Sequence, residues 1–185
     1  MTSAEFELET ERLRLRSWRD DDVDAFLVVN SDPEVMATLG PVMDRDEVAA
    51  MIVRLQRDQA EHGCCFWAME RAGDGLLIGW CGVKPGNVGP IDGKPEIGWR
   101  MRRDCWGHGY VSEAARVTLD WLFASRDADS AWAITTPANV RSRAVMERLG
   151  MAYMPELDFD HPRIPAGDPL VRHVTYRIGR DEWTT

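Results

Sequence analysis

The 185 residues, 44% of them hydrophobic, are enough for one compact domain with a sizeable core, so we expect a single domain over residues 1–185. The N-terminus lacks a signal-peptide pattern and no apolar run approaches the roughly 18 residues of a spanning helix, so we expect a cytoplasmic protein without a membrane partner. The formal net charge of -9 argues against a nucleic-acid-binding protein, which would need basic patches to displace counterions.

The acidic residues are concentrated in the first third of the chain. Residues 1–62 hold 15 acidic and 7 basic side chains, which accounts for -8 of the net charge. Residues 94–116 instead hold five basic and three acidic side chains. The acidic surface therefore lies mostly outside this later segment, and it is compatible both with cationic partners and with simple solubility.

The N-terminal half of the chain predicts a strand, two helices and a hairpin. "RLRLRSW" (12–18) alternates apolar and cationic residues, as a half-buried strand does. The acidic residues at 20–24 indicate the start of a first helix. Asp44, with a glutamate three residues on, predicts a capping box for a second helix that ends near Gly63. "CFWAMER" and "LLIGWCGV" predict two strands joined by the hairpin turn "AGDG" (72–75).

The second half begins with the Gly- and Pro-rich loop "KPGNVGPIDGKP" (84–95). "EIGWRMR" then predicts a strand, "YVSEAARVTLDWLF" a helix, "AWAITT" a strand, "RSRAVMERLG" a helix and "VRHVTYRI" a closing strand. The order strand, helix, strand from Glu96 to Thr136 makes those two strands parallel, whereas the preceding hairpin is antiparallel. We therefore predict a mixed sheet.

The junction between that strand and that helix, "RDCWGHGYVSEAAR" (103–116), has the chemistry of an anion site. Free backbone N–H groups and the helix dipole at a helix N-terminus stabilise a phosphate without any side-chain cation. Gly107 and Gly109 would let the backbone approach such a group, and His108 and Ser112 offer side-chain donors. The glycines also suit an ordinary strand-to-helix turn, and the segment matches neither of the common Gly-rich nucleotide motifs.

The cysteines and histidines do not form a metal-site pattern. The cysteines lack C-x-x-C spacing and the histidines are scattered along the chain, so we expect free thiols and no bound metal. The cysteines are Cys64, Cys65, Cys81 and Cys105, and the histidines are His62, His108, His161 and His173.

Two motifs, "EIGWRMRRDCWGHGYVSEAARVTLDWLF" and "NVRSRAVMERLGM", together resemble the acetyl-CoA-binding core of the GNAT superfamily of N-acetyltransferases. "LETERLRLRSW" near the start and "HVTYRIGRDEW" near the end are similar to its RimJ/RimL branch, which acetylates ribosomal-protein N-termini. The resemblance implies an α+β (mixed α/β) GNAT fold. It implies a mixed, mostly antiparallel sheet of six to seven strands with helices on both faces and splayed parallel central strands that form the acetyl-CoA cleft.

The superfamily signature [QR]-x-x-G-x-[GA] falls on residues 106–111, where the first position matches the RimJ/RimL branch and Val111 departs from the pattern. The resemblance implies that the amides of this loop hold the CoA pyrophosphate and that the preceding strand lies along the pantetheine arm. The implied cofactor-binding residues are Trp99, Met101, Trp106, Gly107, His108, Gly109, Tyr110, Val111, Ser112 and Asn139. Asn139 also suits a helix N-cap, and the first two residues also suit a core.

The resemblance also suggests two catalytic residues. Glu96 is placed where some GNAT enzymes have a general base, although it also suits a strand-edge carboxylate paired with an arginine. Ser142, three residues after Asn139, is placed where RimL-like enzymes are thought to protonate the CoA thiolate, although serine is common in a first helical turn. Arg141 and Arg143 could contact the acceptor or the CoA 3′-phosphate, or could simply be surface residues.

The expected activity is acetyl-CoA-dependent transfer of an acetyl group, without a metal, to a primary amine of a protein N-terminus or a small molecule. The alternative is a non-catalytic module of the same fold that binds or senses acetyl-CoA. The first helices and the loops 85–95 and 159–169 are expected to wall the acceptor side. Because these walls include Asp44, Asp158 and Asp160, a cationic acceptor is expected. The protein is expected to be a monomer or a homodimer.

Overall fold

Nine strands and five α-helices make up residues 6–184, the part of the chain that this computed structural model describes. The strands are β1 (Glu7–Glu9), β2 (Leu13–Arg16), β3 (Phe66–Arg71), β4 (Leu76–Pro85), β5 (Pro95–Met101), β6 (Ser130–Thr135), β7 (Ala152–Tyr153), β8 (Phe159–Asp160) and β9 (Arg172–Gly179). The helices are α1 (Val23–Asn30), α2 (Pro33–Met36), α3 (Arg45–His62), α4 (Tyr110–Ser125) and α5 (Val140–Arg148). Among residues 6–184, no helix combines the length and the apolar composition that a membrane-spanning helix requires.

The predicted mixed α/β fold is confirmed, but the sheet has nine strands where six to seven were expected. Three of the strands, β1, β7 and β8, are only two or three residues long. Segments of that length cannot show the period-two alternation from which strands are predicted. The predicted number of strands was therefore too low, although the predicted mixed α/β fold is confirmed.

The strand order is β1-β2-β3-β4-β5-β6-β9-β7, with β8 added beside β9. Every neighbouring pair is antiparallel except β5 and β6, which are parallel and are connected through α4, as predicted. These two strands are in register at a single described pair, Glu96 and Trp132, near the amino end of β5. From there toward their carboxyl ends the two strands separate, which opens the sheet in its middle.

Helices cover both faces of the sheet, and the alternation of side chains along β4 and β5 distinguishes those faces. Trp80 of β4 and Arg100 of β5 are cross-strand partners on one face, where Arg100 contacts Asn30 of α1. Cys81 points to the opposite face, where its Sγ lies 3.8 Å from Thr118 Oγ1 of α4. We refer to these as the α1 face and the α4 face.

Helix α3 begins and ends where its sequence signals predicted. Asp44 Oδ1 accepts from the Glu47 amide at 2.9 Å, and Glu47 Oε2 accepts from the Asp44 amide at 2.8 Å, so the capping box is present. Gly63 ends the helix with a left-handed φ of 67°. The hairpin turn at 72–75 is also confirmed between β3 and β4.

The cationic side of β2 is less exposed than the alternating pattern predicted. Arg16 is only 4% exposed, and its guanidinium donates to Asp22 Oδ1 at 2.7 Å and to Glu70 Oε1 at 2.7 Å. Burial lowers the pKa of Arg16, but the hydrogen bonds to the two carboxylates outweigh that effect and raise it overall. The arginine therefore belongs to a buried ion cluster instead of a solvated strand face.

Candidate active site

A cleft of about 910 Å³ opens where β5 and β6 separate. It lies at the carboxyl ends of two parallel strands, the position at which α/β sheets commonly bind ligands. Of the predicted site residues, all except His108 line this cleft. They are Glu96, Trp99, Met101, Trp106, Gly107, Gly109, Tyr110, Val111, Ser112, Asn139 and Ser142. The structure therefore gathers almost the whole predicted set at one site.

The loop before α4 presents a row of backbone amides without acceptors. Gly107 and Gly109 have left-handed φ values of 82° and 79°, and Gly109 is the N-cap of the 16-residue helix α4. No residue in the range 6–184 accepts a hydrogen bond from any amide of the segment 107–112. Because free amides at a helix N-terminus carry partial positive charge, this loop has the local chemistry of an anion-binding site.

Two arginines of α5 add formal positive charge next to this loop. The Arg141 guanidinium carbon lies 4.1 Å from the centre of the Trp106 ring, and Arg148 Nε lies 3.5 Å from Ser112 Oγ. Both arginines line the cleft, and Arg148 was not predicted. Helical periodicity could have found it, because seven residues after Arg141 bring the chain back to nearly the same side of the helix.

The other arginine that the sequence singled out is directed elsewhere. Arg143 Nε donates to the Tyr176 hydroxyl at 3.1 Å, and its Nη1 donates to the Pro137 carbonyl at 3.3 Å. Arg143 is not among the residues that line the described cleft. Arg143 therefore connects α5 to β9 by a hydrogen bond, whereas Arg141 and Arg148 lie at the cleft.

Asn139 caps α5 and lines the cleft at the same time. Its Oδ1 accepts from the Ser142 amide at 3.2 Å, and its Nδ2 donates to Thr135 Oγ1 at 2.9 Å. The N-cap interpretation is therefore confirmed. Ser142 Oγ makes no hydrogen bond to any residue of the described range. The Ser142 hydroxyl thus stands at the cleft wall with its hydrogen-bonding capacity unused.

The indole of Trp106 fixes the loop against the end of β5. Its Nε1 donates to the Met101 carbonyl at 3.0 Å, while the amide of Arg102 donates to Ile78 of β4 at 2.9 Å. Because successive residues of a strand direct their backbone groups to opposite sides, the Met101 amide faces the gap and not β4. It can therefore donate to a ligand that lies between β5 and β6.

Glu96 is paired, but its partner is a lysine and not the arginine that its alternative interpretation proposed. Lys84 Nζ donates to Glu96 Oε2 at 2.9 Å, and both side chains are 15% exposed. The pair lies on the α1 face of the sheet, near the point at which β5 and β6 are still in register. The Glu96 carboxylate is therefore accessible from the cleft but already accepts a hydrogen bond from the Lys84 ammonium group.

Two histidines that were expected to be scattered meet beside the cleft. The pairing of β8 with β9 brings His161 and His173 together, with ring centres 5.0 Å apart, and both line the cleft. His173 Nδ1 lies 3.2 Å from the Val171 carbonyl, which can only accept, so Nδ1 carries the hydrogen and Nε2 is free to take a proton. Burial lowers the pKa of both histidines below 6.5.

These histidines form no metal site with their neighbours. Across residues 6–184, no group of three or more His, Cys, Asp or Glu side chains is close enough to hold a metal ion. The sequence could not show that His161 and His173 meet, since the contact depends on a two-residue strand that has no sequence pattern.

A third set of cleft residues surrounds Arg100 on the α1 face. Arg100 Nη1 donates to Asn30 Oδ1, but Arg100 Nε and Trp80 Nε1 are buried and have no acceptor in the described part of the chain. No described carboxylate lies within 4.0 Å of the guanidinium, and burial lowers the pKa of Arg100 to about 10. Phe66 stacks on Trp80 with ring centres 4.3 Å apart.

The predicted acidic walls do not surround the cleft. Asp44 caps α3, Asp158 accepts from the Thr175 amide and Asp160 contacts Arg172, and none of the three aspartates is among the lining residues. Helix α2 does line the cleft, as expected, and the loop 159–169 contributes His161, but the loop 85–95 contributes no described side chain. The three aspartates therefore give no support to a cationic acceptor.

Comparison with known proteins finds a matching family and several similar chains. Residues 12–152 match the family described as Acetyltransferase (GNAT) domain. The chain is 33% identical over 152 residues to the YkkB protein of Bacillus subtilis (strain 168), covering 82% of this chain and 88% of the relative. It is 29% identical over 144 residues to the N-acetyltransferase p20 of Bacillus licheniformis, covering 77% and 80%.

A solved structure of a related acetyltransferase has the same fold. The crystal structure of a GNAT-family acetyltransferase from Bacillus anthracis superposes with a TM-score of 0.78 at 25% identity. The superposition covers 96% of this chain and all of the other. The open sheet and its helices are therefore shared over nearly the full length.

Proposed function

The chain belongs to the GNAT acetyltransferase family and is an acetyltransferase, and on that premise we propose that it transfers the acetyl group of acetyl-CoA directly to a primary amine. The observation that carries the choice of donor is the row of acceptor-free amides at 107–112, set at the mouth of the cleft between β5 and β6. A pyrophosphate matches such a row, because its oxygens accept several hydrogen bonds at once. The RimJ/RimL branch stays a prediction.

The same cleft residues support a path for the rest of the donor. The Met101 amide would hydrogen-bond the pantetheine arm from β5, and Asn139 would contact it from the side of β6. Arg141 and Arg148 would add charge at the phosphates. The acetyl group would then lie deep in the gap, where an amine can reach it from the α1 face.

Direct transfer makes one bond and breaks one. The amine nitrogen attacks the thioester carbonyl, the C–N bond forms, the C–S bond breaks, and the amine loses a proton while the thiolate gains one. Glu96 would accept the amine proton, directly or through a water, and the Ser142 hydroxyl would donate to the thiolate and be reprotonated from solvent. His173, with its free Nε2, is the competing base in the same cleft.

The free energy needed to deprotonate the amine limits which amines can serve as acetyl acceptors. Deprotonating an α-amine of pKa near 8 costs only about 1 kcal/mol at neutral pH, whereas a lysine near 10.4 costs roughly 4 to 5 kcal/mol. Glu96 already accepts from Lys84, so it is not free to bind strongly to an ammonium group as well. Among amines that bind equally well, we therefore expect those of lower pKa to be the better acceptors.

Two measurements test the proposed function together. The thermal unfolding of the protein is followed with and without acetyl-CoA, and thiol release is measured over a panel of amines. A rise in melting temperature with amine-dependent thiol release supports the proposal. A rise without release for any amine would support the binding or sensing module, and no rise at millimolar acetyl-CoA would overturn the assignment of the donor.

A further inference from the structure

Arg100 is a cation in the cleft that no anion of the described protein neutralises. On the same α1 face of β4 and β5 the other cation, Lys84, is already paired with Glu96. Arg100 instead contacts two neutral groups through Nη1, the Asn30 amide oxygen and, at 4.0 Å, the Met43 sulfur, and no described residue accepts from its Nε or its Nη2. Burial of an unpaired charge is unfavourable, so such a group is well placed to bind an anionic ligand.

The position of Arg100 separates it from the phosphates of the donor. The amide row at 107–112 lies at the start of α4, which packs on the opposite face of the sheet from α1. Arg100 points to the α1 face, contacts α1 through Asn30, and remains partly exposed where it lines the cleft. An anion that reaches it must therefore enter from the side from which the amine approaches.

We propose that the amine acceptor is a small amino acid whose carboxylate pairs with Arg100 during transfer. The inference rests on the acetyl-transfer function proposed above and specifies its substrate class. A guanidinium can bind a carboxylate through two parallel hydrogen bonds, which gives orientation as well as attraction. When the amino acid binds, its carboxylate oxygens thus accept hydrogen bonds from the unused N–H groups of Arg100.

The neighbouring side chains are consistent with a compact, partly apolar acceptor. Gly98 lies between Glu96 and Arg100 on the same face of β5. A Cβ at Gly98 would come within 2.9 Å of the Phe66 ring and 3.2 Å of Trp80, so these two rings lie directly over the glycine. The rings supply flat apolar surface beside the guanidinium, which suits the side chain of an amino acid.

Free amino acids and peptide N-termini are distinguished by this site. An unmodified peptide N-terminus carries an amide where the free amino acid carries its carboxylate, so it offers Arg100 no charge partner. A peptide substrate would also leave the guanidinium unneutralised. We therefore expect peptides without a nearby acidic group to be poor acceptors.

The test compares amino acids with their carboxamides. α-, β- and γ-amino acids are assayed beside the matching amides, and kcat/KM is expressed per concentration of neutral amine so that different amine pKa values do not bias the result. We expect at least one acid to exceed its amide by 10-fold or more. Arg100→Gln should reduce that ratio to near one, while Arg54→Gln, on the exposed side of α3, should keep it.

A binding measurement keeps the test independent of turnover. N-acetyl amino acids and their amides are titrated by calorimetry into the protein saturated with CoA. Tighter binding of the acid, lost in Arg100→Gln but not in Arg54→Gln, supports the carboxylate site. Equal binding and equal kcat/KM for acid and amide would overturn the substrate class while leaving acetyl transfer intact. Failure of acetyl-CoA itself to bind would instead contradict the proposed function.

Discussion

Lys84 Nζ lies 2.9 Å from Glu96 Oε2, close to the point at which the two parallel strands begin to separate. The pair places a half-shielded carboxylate at the inner end of the cleft and reduces its freedom to bind a second cation. His173 lines the cleft beside it, and burial lowers its pKa, which favours the neutral ring. We therefore propose Glu96 and His173 as the two candidates for the proton acceptor.

Replacing each candidate base separately should decide between them. We expect Glu96→Gln to lower kcat by about 10²- to 10⁴-fold, the usual contribution of general-base catalysis. The matched variant His173→Gln should lower kcat by less than about 10-fold, since it leaves Glu96 in place. The rates are measured with saturating acetyl-CoA and an acceptor of low amine pKa.

The pH profile of the same variants provides a contradicting outcome. Burial lowers the pKa of His173 below 6.5, so its neutral form persists to slightly acidic pH and is lost on further acidification. If His173 were the base, wild-type activity per neutral amine would fall as pH decreases through that lowered pKa. A fall of this kind that disappears in His173→Gln and persists in Glu96→Gln would reject Glu96.

Ser142→Ala tests the proton donor to the thiolate. The Ser142 amide is held by the Asn139 cap, whereas its hydroxyl has no partner in the described range, so alanine should preserve the helix start. We expect kcat to fall by about 10²-fold or more and the KM for acetyl-CoA to change little. A normal kcat with every amine of the panel would remove Ser142 from the mechanism.

Gly107→Ala tests the amide row without removing any side-chain contact. A Cβ at this position meets nothing within 4 Å, but alanine at a φ of 82° strains the backbone by roughly 1 to 2 kcal/mol. The loop should relax and lose its amide geometry, so the KM for acetyl-CoA should rise at least about 10-fold.

Gly75→Ala is the control for the glycine prediction. It has a similar φ of 69° with nothing within 4 Å, and it lies in the β3–β4 turn outside the cleft. It should cost comparable stability, measured by urea unfolding, and leave the KM unchanged. Equal KM values in both variants would show that the loop does not bind the donor.

Arg148→Gln tests the charge beside Ser112. A charge-assisted hydrogen bond contributes about 1.5 to 3 kcal/mol, so its loss should raise the KM for acetyl-CoA by roughly 10- to 100-fold. The effect should shrink at high salt, because part of it is screened attraction. Arg143→Gln, on the same helix but bound to Tyr176, should change stability more than KM, and the reverse pattern would contradict the assignment.

Arg16→Met tests the buried ion cluster of β2. The substitution leaves Asp22 and Glu70, 6% and 5% exposed, without their shared cation. Removing one partner of a buried ion pair typically costs about 3 to 5 kcal/mol of unfolding free energy. Arg45→Met, at the ion pair with Asp24 that is exposed on both sides, should change the unfolding free energy little in the same urea titration. Similar losses for both would exclude a special role for burial.

Local signals predicted the features that depend on nearby residues. The capping box at Asp44 and the turn at 72–75 each require only a few consecutive residues, and each was confirmed. The parallel pairing of β5 and β6 followed from the order of elements. These features were predictable because short-range sterics and hydrogen bonds determine them.

Contacts between distant residues were not predictable in the same way. Arg16 meets Glu70, Arg100 meets Asn30, and His161 meets His173 only after separate segments have packed together. A lone arginine or histidine carries no sign of its partner in one sequence. The part of the cleft that one continuous loop and helix form was therefore easier to predict than the part where separate segments meet.

The separation of β5 from β6 also bears on how the protein avoids aggregation. Exposed strand edges are templates on which another chain can add a strand. Here the outer edge strands of the described sheet are β1, β7 and β8, each only two or three residues long, and the longer unpaired edges of β5 and β6 face each other inside the molecule. The unpaired backbone groups of β5 and β6 are therefore accessible to a narrow ligand in the cleft but not to a strand of a second polypeptide.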